Sequence, residues 1–585
     1  MIQRRIPFFG KILSGIPMTL FVIIVLFSMV LRIHMISTSM PYPNLWDEGL
    51  MTLNAQRVLQ DADFTPKQYY YPPFTVYLTA VGFTFGFLQS AAKLELKRTD
   101  EIGSVHYPFY THPRVVWPAK LLFAGFSVLA IFLFGLLAYR VMEKKELLIL
   151  TPLILSLSNI YFFYSTNHIN CDILGVFSAT LLMYVLYIYR LKDTYWYKGF
   201  LPGILAGLVI SSKYHLVLAI IYAFLMIGLF SKKDRILKCC LAFVIMILTF
   251  VALNPVIITD YNHFLNSLGY LLYDYNLGKP YITIKPGFEL LGHSLTEILL
   301  DFGYPTVIFA LLGLWVLTKK GWKDFVALIF LPLLLLIHMS TQKTFAMRNI
   351  LLVFLFYGFL CSCGLSYIIF IIRGYISRFE DPRRRLGTNI AGIIVLVLLL
   401  MLVFPLDNYA KWITAKPDSR NQVVAWIKDN VPKQSTIFVP DEITMDVHQL
   451  KHSYDVVKLK MGSFDIEKFL AAKHKMNNPY VIMPFMCYTE NRHRQAREKD
   501  YQERAYNINR FNQYLHIEKH FPGRYRTQSV WRPYVEMVVE GDTHQEEKTS
   551  GEYSTGCVFV DEAEPNFAGH SELSIGKLIL PGKEE

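Results

Sequence analysis

The sequence predicts a polytopic α-helical membrane protein of about eleven transmembrane helices, with interfacial helices in its first outer loop and a C-terminal soluble α/β domain. Three observations carry that prediction. Many apolar runs reach about 18 residues, the length a helix needs to cross a ~30 Å hydrocarbon layer. Lysine and arginine collect in alternate loops between those runs. Beyond residue 405 the chain turns polar, and short helical and strand-like patterns alternate.

The spans fall near residues 17–37, 115–139, 146–164, 172–189, 199–212, 215–230, 236–258, 298–317, 324–340, 347–372 and 388–405. The first has a basic flank (Arg4, Arg5, Lys11) but no small-residue cleavage site, so it reads as an uncleaved helix rather than a signal peptide. The stretch 199–230 is divided at Ser211-Ser212-Lys213-Tyr214, because an unpaired lysine at mid-bilayer costs roughly 2.5–3.5 kcal/mol on the insertion scale. The charge pattern supports the division. With the N-terminus inside, inner loops hold Arg4, Arg5 and Lys11, then Lys232, Lys233 and Arg235, and later Arg383, Arg384 and Arg385. Short outer loops hold only Lys213, Lys279, Lys285, Lys343 and Arg348.

This topology puts the first loop (38–114) and the tail (406–585) outside, and the domains divide as 1–405 and 406–585. Within the first loop, Asp47 to Leu59 reads as an amphipathic helix on the membrane and Phe74 to Leu88 as a second, apolar one, both in the interface. The tail pattern predicts helices over Asn421–Asn430 and Phe464–His474 and strands over Ser435–Pro440 and Tyr480–Pro484.

A net charge of +12 raises nucleic acid as a partner, but the basic residues sit in short inter-span loops where they set topology, so no nucleic-acid role is expected. The seven cysteines have no zinc-type spacing. Five lie in or beside apolar segments, and Cys487 and Cys557 in the tail would pair only in an oxidising compartment. No nucleotide fingerprint, Walker loop, zincin or nucleophile-elbow pattern occurs.

Chemistry is sought among polar residues beside the spans. Asp47-Glu48, in Pro41-Tyr42-Pro43-Asn44-Leu45-Trp46-Asp47-Glu48, is an acidic pair at a membrane interface. It reads equally as a general base for an acceptor hydroxyl or as acidic residues favouring a helix N-terminus. Asp172 enters the fourth span after Asn167-His168-Ile169-Asn170-Cys171, where a carboxylate signals either a cavity or, with Asn170, a helix cap. His168 has the donors to meet a phosphate or a sugar, or to be an ordinary interface residue. Arg348 and Lys213 are cations beside apolar helices, suited to phosphate or to snorkelling toward headgroups. Tyr69-Tyr70-Tyr71-Pro72-Pro73-Phe74 combines interfacial aromatics with a proline-fixed bend.

In order, these features resemble the GT-C membrane glycosyltransferases, in particular the protein O-mannosyltransferase and aminoarabinose transferase branch, the dolichyl-phosphate-mannose-protein mannosyltransferase-like family. The resemblance rests on Trp46-Asp47-Glu48 after the first span, Tyr71-Pro72-Pro73-Phe74, and Arg114 opening the second span. It continues through Asn167–Asp172, the glycine-rich run from Gly203 to Lys213-Tyr214, and Arg348. It covers roughly residues 10–405; the insertion Gln89–Pro113 and the tail stand outside it.

The resemblance implies an inverting enzyme that takes a sugar from a polyprenyl-phosphate donor at the outer leaflet and passes it to an acceptor that is protein, lipid or glycan. Asp47 would be the catalytic base, Glu48 a supporting residue and Asp172 an assisting group. Lys213 and Arg348 would hold the lipid phosphate. Tyr71 occupies a position that is basic in the aminoarabinose-type enzymes, so Lys67 also becomes a candidate for that phosphate. No cofactor is required in principle, and a divalent metal is not excluded. The rival function is a transporter or lipid flippase, which predicts broken helices in pseudo-symmetric halves. The expected location is the plasma or inner membrane, with the N-terminus cytoplasmic and the tail extracytoplasmic.

Overall fold

The structure is a computed structural model. It describes residues 16–40, 46–104, 110–167, 169–189, 199–231, 233–277, 284–344, 346–376, 419–440, 448–451, 453–459, 480–484, 515–521 and 573–578. Two compact units divide the chain. The first comprises Met1–Met35, Arg57–Phe83 and Pro118–Ile413; the second comprises Ile36–Gln56, Thr84–Trp117 and Thr414–Glu585.

Helix follows helix through the first two thirds of the chain: α1 (Ile16–Ser39), α2 (Trp46–Gln60) and α3 (Pro73–Ala92), then a small antiparallel hairpin, β1 (Gly103–Ser104) with β2 (Tyr110–Thr111). After it come α4 (Pro113–Met142), α5 (Leu147–Ser156), α6 (Asn159–Asn167), α7 (Cys171–Tyr189), α8 (Phe200–Ser212), α9 (Ala219–Phe230) and α10 (Arg235–Leu253). The series closes with α11 (Val256–Thr259), α12 (Tyr261–Leu277), α13 (Phe288–Phe302), α14 (Thr306–Thr318), α15 (Trp322–Ser340) and α16 (Leu351–Ile376).

Among the described residues seven helices are long and apolar enough to cross a membrane, or nine if each of two bent pairs is one span. The chain is an integral membrane protein. The expected count of about eleven differs for three reasons. The runs at 199–212 and 215–230 form helices shorter than a full span, and 388–405 lies outside the described residues. In the other direction α3, expected to lie in the interface, is itself long and apolar enough to cross. The spans expected at 146–164 and 298–317 are broken, α5 and α6 meeting at 70° and α13 and α14 at 107°. The second break falls at Gly303, whose φ of +90° suits glycine, followed by Pro305. At the first break, Asp301 of α13 accepts from Ser158 Oγ (2.5 Å) and from the Ile160 N–H (2.9 Å), which satisfies donors at the buried start of α6.

Glycine spacing sets the closest helix contacts. Along α8, Gly203 and Gly207 face α10 so tightly that an added Cβ would sit 2.6 Å from Ala242 O and 2.6 Å from Thr249 Cβ. Small residues four apart let two backbones approach, the usual packing device where lipid supplies no hydrophobic drive. Arg32, a charge within apolar α1, is buried, with Nε donating to Ser127 Oγ (2.8 Å) and Ser165 Oγ (2.9 Å) and Nη1 to Ser28 Oγ (2.5 Å). Hydroxyls from three helices thus replace its water.

The second unit contains α17 (Ser419–Asn430), β3 (Thr436–Pro440), α18 (His448–Lys451), β4 (Asp455–Leu459), β5 (Tyr480–Pro484), β6 (Leu515–Phe521) and β7 (Leu573–Leu578). Its five-stranded sheet has the order β4-β3-β5-β7-β6, parallel from β4 to β5 and antiparallel beyond. Val423, Val424 and Ile427 of α17 share one apolar core with Ile437, Val439, Leu450, Tyr454 and Ile482. The helix expected over Phe464–His474, Cys487 and Cys557 lie outside the described residues. Asn421 Nδ2 donates to Met40 O (2.7 Å), joining the tail to the end of α1 within this unit.

Candidate functional site

Two polar networks in the first unit gather the residues that sequence singled out. The first begins where α7 starts. Asn170 Oδ1 accepts from the backbone N–H groups of Asp172 (3.1 Å) and Ile173 (3.2 Å), so the cap is Asn170. The Asp172 carboxylate, relieved of capping, makes an ion pair with Lys213 Nζ. Both are sequestered, with side chains 3% and 9% exposed. Lys213 stands directly after α8 in extended conformation, and Gly175 of α7 leaves room for its stem: a Cβ there would come within 3.2 Å of Lys213 Cβ. The ammonium also donates to Asn349 Oδ1 (2.9 Å), and Asn349 Nδ2 donates to the Tyr275 hydroxyl (3.0 Å). Asn349 belongs to a 3-10 turn, Met347–Ile350, that leads into α16. Segments distant in sequence are therefore fixed around one buried pair, whose desolvation is offset by direct contact and by an amide dipole.

The second network holds the Tyr-Pro-Pro turn. Pro72 and Pro73 cannot donate, so the first backbone donor of α3 is Phe74, and its N–H goes to Asn254 Oδ1 (2.8 Å). Asn254 is fully buried; its Nδ2 donates to Ser211 Oγ (3.0 Å) and to Phe250 O (2.8 Å). Thr75 Oγ1 donates to Ser212 O (3.4 Å), and Ser212 Oγ bonds Ser178 Oγ of α7 (2.9 Å). The turn is thus registered on the end of α8, one residue before Lys213, and α8 is registered on the helix that carries Asp172. Tyr69 donates its hydroxyl to Asp260 Oδ2 (3.1 Å), which is also 3.0 Å from His263 Nδ1. Burial first, and then the Asp260 carboxylate, raise the Tyr69 phenol well above its ordinary range, so it serves as a donor. Tyr70 stacks on Tyr270 of α12 at 5.5 Å.

The other candidates are placed as follows. Asp47 lies in the first turn of α2, and Glu48 beside it is buried. Lys67 is exposed on the loop before Tyr69; Tyr71 and Arg348 are half-buried. His168 lies outside the described residues. Arg114 forms an ion pair with Glu95 in the second unit. Sequence reading did not find Asn349, Tyr275, Asn254, Asp260 or His263. Asn254-Pro255 and Asp260, polar interruptions at the end of an apolar run, were the available signal. Among the described residues no group of three His, Cys, Asp or Glu side chains is arranged to hold a metal ion.

No protein-family model and no curated protein matches the sequence. Among solved structures, ArnT from Cupriavidus metallidurans bound to undecaprenyl phosphate superposes with a TM-score of 0.50 at 13% identity, over 82% of this chain and 93% of ArnT. The chain shares the fold of that protein. ArnT in its apo state gives 0.47 at 13% identity, over 79% of this chain and 92% of ArnT. The Archaeoglobus fulgidus oligosaccharyltransferase gives 0.40 at 11% identity, over 79% of this chain and 68% of that one. On this fold Asp172 stands in the first turn of α7, Lys213 directly follows α8 and Asn349 precedes α16, so the buried pair is built from helix ends rather than helix middles.

Proposed function

We propose that this chain is an inverting glycosyltransferase that moves a sugar from a polyprenyl-phosphate donor to an acceptor hydroxyl at the outer membrane face. The observation that carries the reading is the fold shared over 82% of the chain with a protein crystallised with undecaprenyl phosphate. In this reading Asp47 takes the acceptor proton as the acceptor oxygen attacks the anomeric carbon. The bond from that carbon to the phosphate oxygen breaks, and the electron pair leaves with the polyprenyl phosphate. Glu48 supports Asp47. Asp172, held by Lys213, supplies fixed charge in the first unit, and Arg348 and Lys67 are the cations offered to the lipid phosphate. Tyr71 and His168 are further candidates for contact with the donor headgroup. No step needs a metal, and a divalent ion is compatible with the scheme. The N-terminus is cytoplasmic and the tail extracytoplasmic, the orientation that the lysine and arginine distribution favours.

The test uses purified full-length protein in liposomes, supplied with a polyprenyl-phosphate sugar or a nucleotide sugar. Transfer from the lipid-linked donor, with inversion and without use of the nucleotide sugar, is expected. Movement of the lipid across the bilayer with no glycosyl transfer would replace this reading with a flippase.

A further inference from the structure

The Tyr69–Asp260–His263 cluster has a feature the scheme above does not use. Two cations of the first unit are engaged inside the protein: Arg57 with Asp63, and Lys213 with Asp172 and Asn349. His263 is arranged differently. Its Nδ1 is held by a carboxylate that also accepts from Tyr69, and the Tyr69 ring stands edge-on to the imidazole at 5.2 Å. The ring is fixed, and facing a carboxylate Nδ1 is the protonated nitrogen. Nε2 has no partner among the described residues, and the side chain is 42% exposed. On the same face of α12, seven positions on, Tyr270 is exposed and stacks on Tyr70. An oriented imidazole with exposed aromatic surface further along its helix face suits an anion carried on a hydrocarbon chain better than a soluble anion.

We propose that His263, held by Asp260 and Tyr69, binds the phosphate of a polyprenyl carrier lipid, a role that rests on the donor class proposed above. Sugar transfer converts the donor's phosphodiester monoanion into a phosphomonoester with one more negative charge. In the imidazolium form both ring nitrogens donate: Nδ1–H to Asp260, which balances the charge, and Nε2–H to that oxygen in a charge-assisted bond that strengthens as the charge develops. The isoprenoid chain lies along the Tyr70–Tyr270 pair.

The experiment titrates full-length protein in phosphatidylcholine nanodiscs with undecaprenyl phosphate, undecaprenol or phosphatidic acid. Wild type is expected to prefer undecaprenyl phosphate over undecaprenol. His263→Gln should lose about tenfold or more for the phosphate while its undecaprenol affinity stays unchanged, and His263→Arg should restore the preference. Asp260→Asn, which leaves the ring in place, should weaken the phosphate selectively and to a smaller degree. Equal phosphate affinity in wild type and His263→Gln overturns the proposal, as does equal loss for phosphate and alcohol. Phosphatidic acid binding as tightly as undecaprenyl phosphate, with the same loss in His263→Gln, overturns it in favour of a bilayer-headgroup site. Absence of any phosphate preference in wild type instead removes the donor class itself.

Discussion

At the scale of single residues, the Asp172–Lys213 pair is the most consequential contact in the first unit. Lys213→Met leaves a buried carboxylate without its cation and should destabilise the protein by about 3–5 kcal/mol. The double variant Asp172→Leu/Lys213→Met should recover most of that loss, since two apolar groups replace two charges. Thermal unfolding in detergent checks this; additive losses in the double variant would mean the two side chains are energetically independent. Asn254→Leu strands the Phe74 N–H and the Ser211 hydroxyl, an expected cost of about 1–3 kcal/mol for each buried group left unsatisfied. Asp172 and Lys213 were legible in sequence because charges beside apolar runs stand out. Their pairing was not, since it depends on Gly175 admitting the lysine stem and on Asn170 taking over the cap. Asn254 and Asn349 escaped because neutral amides in apolar surroundings leave no charge signal, although they organise both networks.

At the scale of elements, the glycine-rich helix α8 positions Lys213 through its contact with α10. Gly203→Val drives a branched side chain into the Ala242 carbonyl and Ile245, an overpacking cost of about 1–3 kcal/mol. Gly228→Ala, with nothing within 4 Å of its added methyl, should be neutral or slightly stabilising, as a helical glycine replaced by alanine usually is. Equal melting temperatures for the two variants would show that the α8–α10 approach is not what holds Lys213 in place. Helix boundaries in this region were readable from hydropathy. The breaks at 157–158 and 303–305 were not, because an apolar run bent by Gly303 and Pro305 keeps the composition of a straight span.

At the scale of the whole molecule, the fold class followed from apolar length and loop charge, while the grouping of the chain into units did not. The tail falls in one unit with Ile36–Gln56, the segment that carries Asp47, and Asn421 bonds Met40 there. A contact between residues 381 positions apart leaves no trace in local pattern. The shared unit argues that the tail bears on more than acceptor choice. Deleting 414–585 should lower donor hydrolysis as well as transfer, and unchanged hydrolysis would restrict the tail to the acceptor. The central claim, sugar transfer from a polyprenyl-phosphate donor with Asp47 as base, is tested most directly by the release of undecaprenyl phosphate from an undecaprenyl-phosphate sugar. Purified wild type and Asp47→Asn are compared in the presence of acceptor. The account predicts release by wild type and a rate about 10²–10⁴-fold lower in Asp47→Asn with lipid binding retained; equal release by the two proteins, or none by wild type, would contradict it.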